Sequence, residues 1–381
     1  MRRTLILPAA VVVLAGPFVA GYVLSRPHQG TTPVPAIPTA VDEVREALAG
    51  RYYRPVAPDV LKLASVGAML SALRDPYTAY LTPLSYRLVQ RDTAASYSGI
   101  GVDVLPTERG LVVVGVDRGP ARRAGVHRGD VIVDIGGSSV VGLDAARALD
   151  RVVSAPGKRI KLVLDRQGTT VRVSVARGIV HAPAVTGRVV PYAGRSWGLI
   201  RLASFRAGAV AQMRAELRVL ARHRVSGLVL DLRSDPGGLV SQAIGVSSLF
   251  LDGGIVVSLS GAHYVHEDFR ASGKPITHLP LVVLVDHYTA SSAEIVAAAL
   301  EEHGRALVIG QRTFGKGVVQ AVDALGNGGA LVFTVASYFT PDGESIARVG
   351  VVPEVRAVDD PSTPQDEALL AALAALARPA S

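Results

Sequence analysis

Residues 281 to 320 restrict the fold of this chain more than any other stretch. They open with Leu281-Val-Val-Leu-Val285, an unbroken apolar run with the length and β-branched content of a strand buried on both faces. Asp286 and His287 close the run. Thr289, Ser291 and Ser292 then precede Ile295, Val296 and Leu300, whose spacing is helical. A strand that turns directly into a helix lifts a serine off the end of a sheet. A second apolar run, Ala306 to Ile309, leads into Thr313-Phe-Gly-Lys-Gly317. There Lys316 stands between two glycines, which free the backbone and leave room for a close neighbour.

A serine hydroxyl is a weak nucleophile at neutral pH unless a base takes its proton, and a lysine serves as that base only if its pKa falls well below ~10.4. Burial lowers it, because desolvation disfavours the ammonium, and the neighbours of Lys316 (Phe314, Val318, Val319, then Leu331 to Val335) are apolar. The same residues fit a purely structural reading. Ser291-Ser-Ala-Glu294 is a capping box, in which Ser291 satisfies a free N–H of the first turn and Glu294 reaches back. A third reading gives the serine a histidine base, with His263, His266, His287 and His303 in range and His287 four positions before Ser291.

The two signatures resemble those of the C-terminal processing peptidases, also called tail-specific proteases. They are Thr289-Ala-Ser-Ser-Ala-Glu-Ile295 and Thr313-Phe-Gly-Lys-Gly-Val-Val-Gln320. The resemblance implies a Ser-Lys dyad with Ser291 as nucleophile, Lys316 as general base and Gln320 as its support, and the 25 positions between Ser291 and Lys316 match the family spacing. It also implies no metal or organic cofactor. Where the family commonly has Ala-Ser-Glu after the nucleophile, this chain has Ser292-Ala293-Glu294.

Leu228-Val-Leu-Asp-Leu-Arg233 reads as another buried strand and runs into Ser234-Asp-Pro-Gly-Gly-Leu239, similar to the family's Asp-Leu-Arg-x-x-Pro-Gly-Gly. A tight Pro-Gly-Gly turn is expected to leave backbone N–H groups unpaired and aimed outward, as an oxyanion hole requires. The resemblance places Gly237 there, with the backbone N–H of Ser292 as the second donor. Upstream, Gly198 to Leu202 reads as a strand and Ala209 to His223 as a helix. Downstream, Asn327-Gly328 is a hairpin signal, and residues 366 to 378 form a leucine-rich final helix.

Residues 99 to 177 resemble a PDZ domain, through Ser98-Gly-Ile-Gly-Val102 and through Gly119-Pro-Ala-Arg-Arg-Ala-Gly-Val-His-Arg-Gly-Asp-Val-Ile-Val-Asp-Ile135. Gly99, Ile100, Gly101 and Val102 make the expected carboxylate-binding loop, because glycines at a bend let successive N–H groups form an anion nest. The strand edge that follows can take an added peptide strand. Members of the family usually carry Arg-Gly-x-x-Gly near the end of the PDZ helix. This chain has Val152-Val-Ser-Ala-Pro-Gly157, which leaves Arg118, Arg122 and Arg151 as candidates for any coupling to the active site.

At 381 residues and 49% hydrophobic content, the chain is long enough for two or three units with cores of their own. Its net charge of +8 comes from scattered arginines without interleaved aromatics, which argues against nucleic-acid binding. The absence of cysteine excludes disulfides, thiolate metal sites and a cysteine nucleophile. Arg2 and Arg3 precede a mainly apolar run from Leu5 to Leu24, the length of a single membrane crossing, with the bulk of the chain outside by the positive-inside rule. Cleavage near Val19-Ala-Gly21 and secretion is the alternative.

The expected fold is multidomain α+β and α/β. Residues 1–24 form a signal anchor, 25–40 a flexible linker and 41–93 a helical region ending in Asp75-Pro-Tyr-Thr-Ala-Tyr-Leu81. Residues 94–180 form a β-rich PDZ domain with two helices, and 181–381 a mixed α/β peptidase core of the ClpP/crotonase type. The expected partners are proteins or peptides with apolar C-termini and a membrane crossed once, and a homo-oligomer is compatible with the sequence. The competing class is a catalytically silent PDZ scaffold that keeps the protease fold.

Overall fold

The computed structural model describes residues 22–23, 39–94, 96–117, 119–143, 159–180, 183–359, 363 and 365–378. The expected membrane anchor and linker fall outside these residues, apart from their edges. At one edge Tyr22–Val23 is a two-residue strand paired in parallel with Gln320–Ala321, where the anchor was expected to continue as helix. At the other, Thr39 caps the helix Ala40–Arg51. Among the described residues no helix is long and apolar enough to cross a membrane. The chain divides into two compact units, one containing residues 96–182 and the other residues 19–95 and 183–381.

The larger unit is built on a six-stranded sheet. Its strands, in spatial order, are Val185–Tyr192, Arg195–Leu202, Leu228–Asp231, Leu281–Val285, Leu307–Gly310 and Val355–Arg356. The first pair is antiparallel and the remaining pairs are parallel. Side chains of a strand alternate between faces, so unbroken apolar runs imply cover on both. Leu228, Leu230, Leu281, Val283 and Val285 enter the main core, together with the helices Ala209–Arg222, Val240–Ser247 and Ser292–Glu302. Val229, Val282, Leu284 and Ile309 face the other way. They pack against Ala368, Leu369, Ala372 and Leu373 of the final helix, Glu367–Ala377.

A second sheet carries the lysine segment. Val318–Ala324 and Ala330–Phe339 form the expected hairpin around Asn327-Gly328, and Ala330–Phe339 also pairs with Ile255–Gly261, which pairs with Tyr264–Arg270. The last two strands lack a clear apolar alternation, and only contact with the rest of the sheet identifies them. From the N-terminal helical region, Ala79–Leu81 adds antiparallel to Ala330–Val332.

The smaller unit is an antiparallel sheet in the order Val102–Thr107, Gly110–Val116, Val131–Ile135, Arg159–Arg166 and Thr169–Ala176. Ile100, Leu111, Val113, Ile132, Leu162, Leu164 and Val175 form its core. Its described helical element is the turn Pro120–Arg123. Val152 to Gly157, and with them the end of the expected second helix, lie outside the described residues, as do Arg118 and Arg151. Arg122 is exposed on the first helical turn.

Candidate active site

Ser291 sits where the buried strand Leu281–Val285 gives way to the helix Ser292–Glu302, at φ 56° and ψ −118°. A positive φ is rare for a residue with a Cβ and costs on the order of 1–3 kcal/mol, so the surroundings must impose it. They do so by bonding this turn to the Pro236-Gly-Gly turn beside it. Thr289 Oγ1 donates to the Leu232 carbonyl at 2.9 Å, the Ala290 N–H to the Asp235 carbonyl at 2.9 Å, and Ser292 Oγ to the Gly238 carbonyl at 2.9 Å. Asp286 accepts from the N–H and hydroxyl of Ser234.

The glycines of that turn are required sterically. At Gly237 (φ +94°) a Cβ would lie 2.7 Å from the Ala290 carbonyl oxygen and 2.9 Å from the Ser292 nitrogen. At Gly238 (φ +150°) it would lie 2.5 Å from the Phe205 carbonyl oxygen. Gly237 thus abuts the start of the serine helix. Its N–H, expected to be unpaired, instead donates to Asp235 Oδ1 at 2.8 Å. The reason is the Asp-Pro-Gly sequence, in which a short carboxyl side chain folds back on the N–H two residues on. Asp235 is fully buried, which pushes its carboxyl well above the usual carboxylate range against the Gly237 bond and the charges of Arg201 and Arg206.

Lys316 is fully buried. Desolvation lowers its pKa to about 7, against the upward pull of Asp75 and Glu294. Its Nζ donates to Gln320 Oε1 at 2.7 Å and lies 5.4 Å from the centre of the Tyr77 ring. Gln320 Nε2 in turn donates to the Tyr77 carbonyl.

Glu294 ties the serine turn to the lysine loop. Its carboxylate accepts the N–H groups of Ser291 (2.8 Å), Gly315 (2.7 Å) and Lys316 (2.9 Å) and the hydroxyl of Thr313. Burial raises its pKa, and these four donors hold it down. The backward reach expected of a capping box is therefore present, yet three of the four donors belong to the Thr313–Lys316 loop. Sequence reading saw only the local bond, because the others come from residues 19 to 22 positions away. Tyr338 adds a hydroxyl donated to the Ser291 carbonyl at 3.3 Å.

Ser291, Ser292, Lys316, Gln320 and Gly237 thus gather in the larger unit. The candidate histidines lie elsewhere: His263 is exposed, His287 is exposed with its ring tilted against Tyr288, His266 meets Asp268, and His303 meets the Ile255 carbonyl. Among the described residues no three His, Asp or Glu side chains cluster as a metal site. Three contributors are not assigned to the site by the sequence. Asp75 and Tyr77 lie in the Asp75-Pro-Tyr-Thr-Ala-Tyr-Leu81 stretch that ends the helical region, far from Lys316 in sequence, and Asp235 lies in the Ser234 to Leu239 turn, where only the glycines mark a site.

In the smaller unit, Gly99 ends a short strand paired with Gly178, Ile100 is buried and Gly101 turns at φ +78°. Val102 begins the edge strand, which among the described residues pairs only with Gly110–Val116. In the same unit, Arg166 grips the buried Asp130 through two hydrogen bonds of 2.7 and 2.9 Å.

Comparison with known proteins bears on both units. Residues 196–357 match the model of peptidase family S41, and residues 98–176 match that of a PDZ domain. A carboxyl-terminal-processing protease of Picosynechococcus sp. is 36% identical over 295 residues, 76% of this chain and 71% of that protein. The carboxy-terminal processing protease CtpA of Bacillus subtilis is 32% identical over 320 residues, 83% of this chain and 68% of that protein. The solved structure of a photosystem II D1 C-terminal processing protease matches with a TM-score of 0.56 at 28% identity, covering 86% of this chain and 95% of that one.

Proposed function

Since the chain belongs to the carboxyl-terminal-processing proteases of peptidase family S41, serine-type peptidases with a PDZ domain, we propose that it binds exposed C-termini of proteins through that domain and cleaves peptide bonds near them with a Ser-Lys dyad. Neutral Lys316 takes the proton of Ser291 Oγ as the oxygen attacks the scissile carbonyl. The resulting ammonium returns the proton to the departing amine, leaving an acyl-enzyme. Water then attacks the ester, again giving its proton to Lys316, and the serine is released.

The observation that carries this reading is the burial of Lys316, which brings its pKa to about 7 and so supplies the free amine at neutral pH. Gln320 orients that amine, and Glu294 keeps the nucleophile turn and the lysine loop in register. The oxyanion falls to the Ser292 N–H and the Gly237 turn. Because Gly237 donates to Asp235 in this conformation, its N–H serves the oxyanion only after exchanging that bond.

The loop Gly99 to Val102 and the free edge of Val102–Thr107 are the C-terminus site. An extended peptide adds there as a strand with its carboxylate in the glycine bend. Ser291→Ala and Lys316→Ala should each abolish cleavage of a protein with an apolar C-terminus while leaving the unfolding transition in place. Full activity in either variant would return the chain to the scaffold class.

Arg2 and Arg3 ahead of the apolar run that begins at Leu5 support a single-pass anchor that ends before the strand Tyr22–Val23, with the catalytic unit outside the cytoplasm. Extraction of the full-length protein from membranes by alkaline carbonate would overturn that placement.

A further inference from the structure

Gln320 bonds in two directions, and the second bond reaches 243 positions back along the chain. Its partner, the Tyr77 carbonyl, belongs to the loop between the helix Val66–Leu73 and the strand Ala79–Leu81. Asp75 organises that loop. Its Oδ1 accepts the Tyr77 N–H at 2.9 Å, and its Oδ2 accepts the hydroxyls of Tyr52 (2.9 Å), Thr78 (2.7 Å) and Thr334 (2.8 Å). Thr334 pairs with Gln320 across the hairpin, at a register shift between Val319 and Gln320. One carboxylate therefore joins the first helix, the loop and the strand facing the glutamine.

We propose that the Asp75–Thr78 loop belongs to the support of the base, with Asp75 and Tyr77 as positioning residues that act on Lys316 through Gln320 and through the negative charge of Asp75. The inference rests on the reading of Lys316 as the general base.

A carbonyl oxygen only accepts, so the Tyr77 carbonyl selects the amide orientation in which Nε2 faces the loop and Oε1 faces Nζ. An acceptor at Nζ takes one N–H of the neutral amine and thereby directs its lone pair elsewhere, which an amide turned the other way would not do. Asp75 acts through the medium. Burial alone pulls the lysine towards permanent neutrality, and a base whose conjugate acid is too weak a proton holder loses driving force at neutral pH.

The charged groups that act on the amine are Asp75 on the loop and Glu294 on the serine helix, with the Tyr77 ring beside Nζ; Tyr338 on the neighbouring strand acts on Glu294 and Tyr77, and Arg348 on Tyr77. Of these, Asp75 is the leading influence that raises the lysine, ahead of Glu294. Burial keeps both phenols protonated at neutral pH. The N-terminal helical region thus helps set the pH at which the enzyme works.

The test is the pH profile of kcat/KM for Asp75→Asn on a peptide substrate. The acid limb should move to lower pH by on the order of one unit, and Asp75→Glu should restore it. A limb that stays in place while activity falls equally at every pH would make Asp75 a structural residue only and overturn the proposal. If Asp75→Asn does not fold, Tyr77→Leu removes the ring beside Nζ but keeps the carbonyl. It should move the limb in the same direction by a smaller step, and an unmoved limb there overturns the proposal too. Wild-type activity in Lys316→Ala would instead defeat the reading of the base, so the two failures are distinguishable.

Discussion

Each unit buries an ionisable group, with opposite consequences. In the PDZ unit, Asp130 is 1% exposed and meets Arg166 in a two-bond fork. Against the upward push of burial, the guanidinium holds the carboxyl below its usual range, and the pair stays ionised. In the peptidase unit, Lys316 gives its Nζ to an amide oxygen and an aromatic face, while Asp75 and Glu294 act by field. Desolvation wins there and the proton is held loosely. Burial creates reactivity only where the partner compensates incompletely.

Making the lysine permanently charged should break this contrast most severely. Lys316→Arg keeps the cation but cannot release a proton near neutrality, so steady-state peptide hydrolysis should fall by about 10⁴-fold or more. Glu294→Gln comes next. It keeps the shape but loses a charge-assisted acceptor shared by four donors, and kcat should drop on the order of 10²-fold as the serine turn and lysine loop lose register. A drop in KM alone would contradict that role.

Stability sharpens the comparison further. The unfolded chain binds more protons than the folded one between the folded pKa of Lys316, about 7, and the ordinary 10.5. The penalty of burying the amine is therefore complete below pH 7 and fades as pH rises towards 10.5. Lys316→Met should stabilise the fold by a few kcal/mol at pH 6 and by little at pH 10, as read by denaturant unfolding. Asp130 has the opposite sign: its depressed pKa contributes stability at neutral pH that is lost as the carboxylate protonates. Asp130→Asn should lower the unfolding temperature by a few degrees without changing cleavage of a short peptide that bypasses the PDZ domain.

Much of this was legible in the sequence because the determining patterns are local. The run Leu281–Val285 became a strand over those same residues, and its uniform apolarity reflects helices on both faces. Asn327-Gly328 announced the hairpin that carries Gln320 and begins just after Lys316. What stayed hidden depends on distant contacts. Ile255–Gly261 and Tyr264–Arg270 are strands by virtue of their neighbours. The fourfold grip of Glu294, the loop of Asp75 and Tyr77, and the closure of Asp235 on Gly237 each join residues whose proximity no periodicity encodes.

The central claim is that a neutral Lys316 activates Ser291, and the rate at which an active-site-directed fluorophosphonate modifies Ser291 tests it without involving the PDZ domain or product release. The account predicts a rate that rises with pH, reaches half its plateau near 7, and is lost in Lys316→Ala at every pH. A pH-independent rate, or one retained in Lys316→Ala, would contradict it.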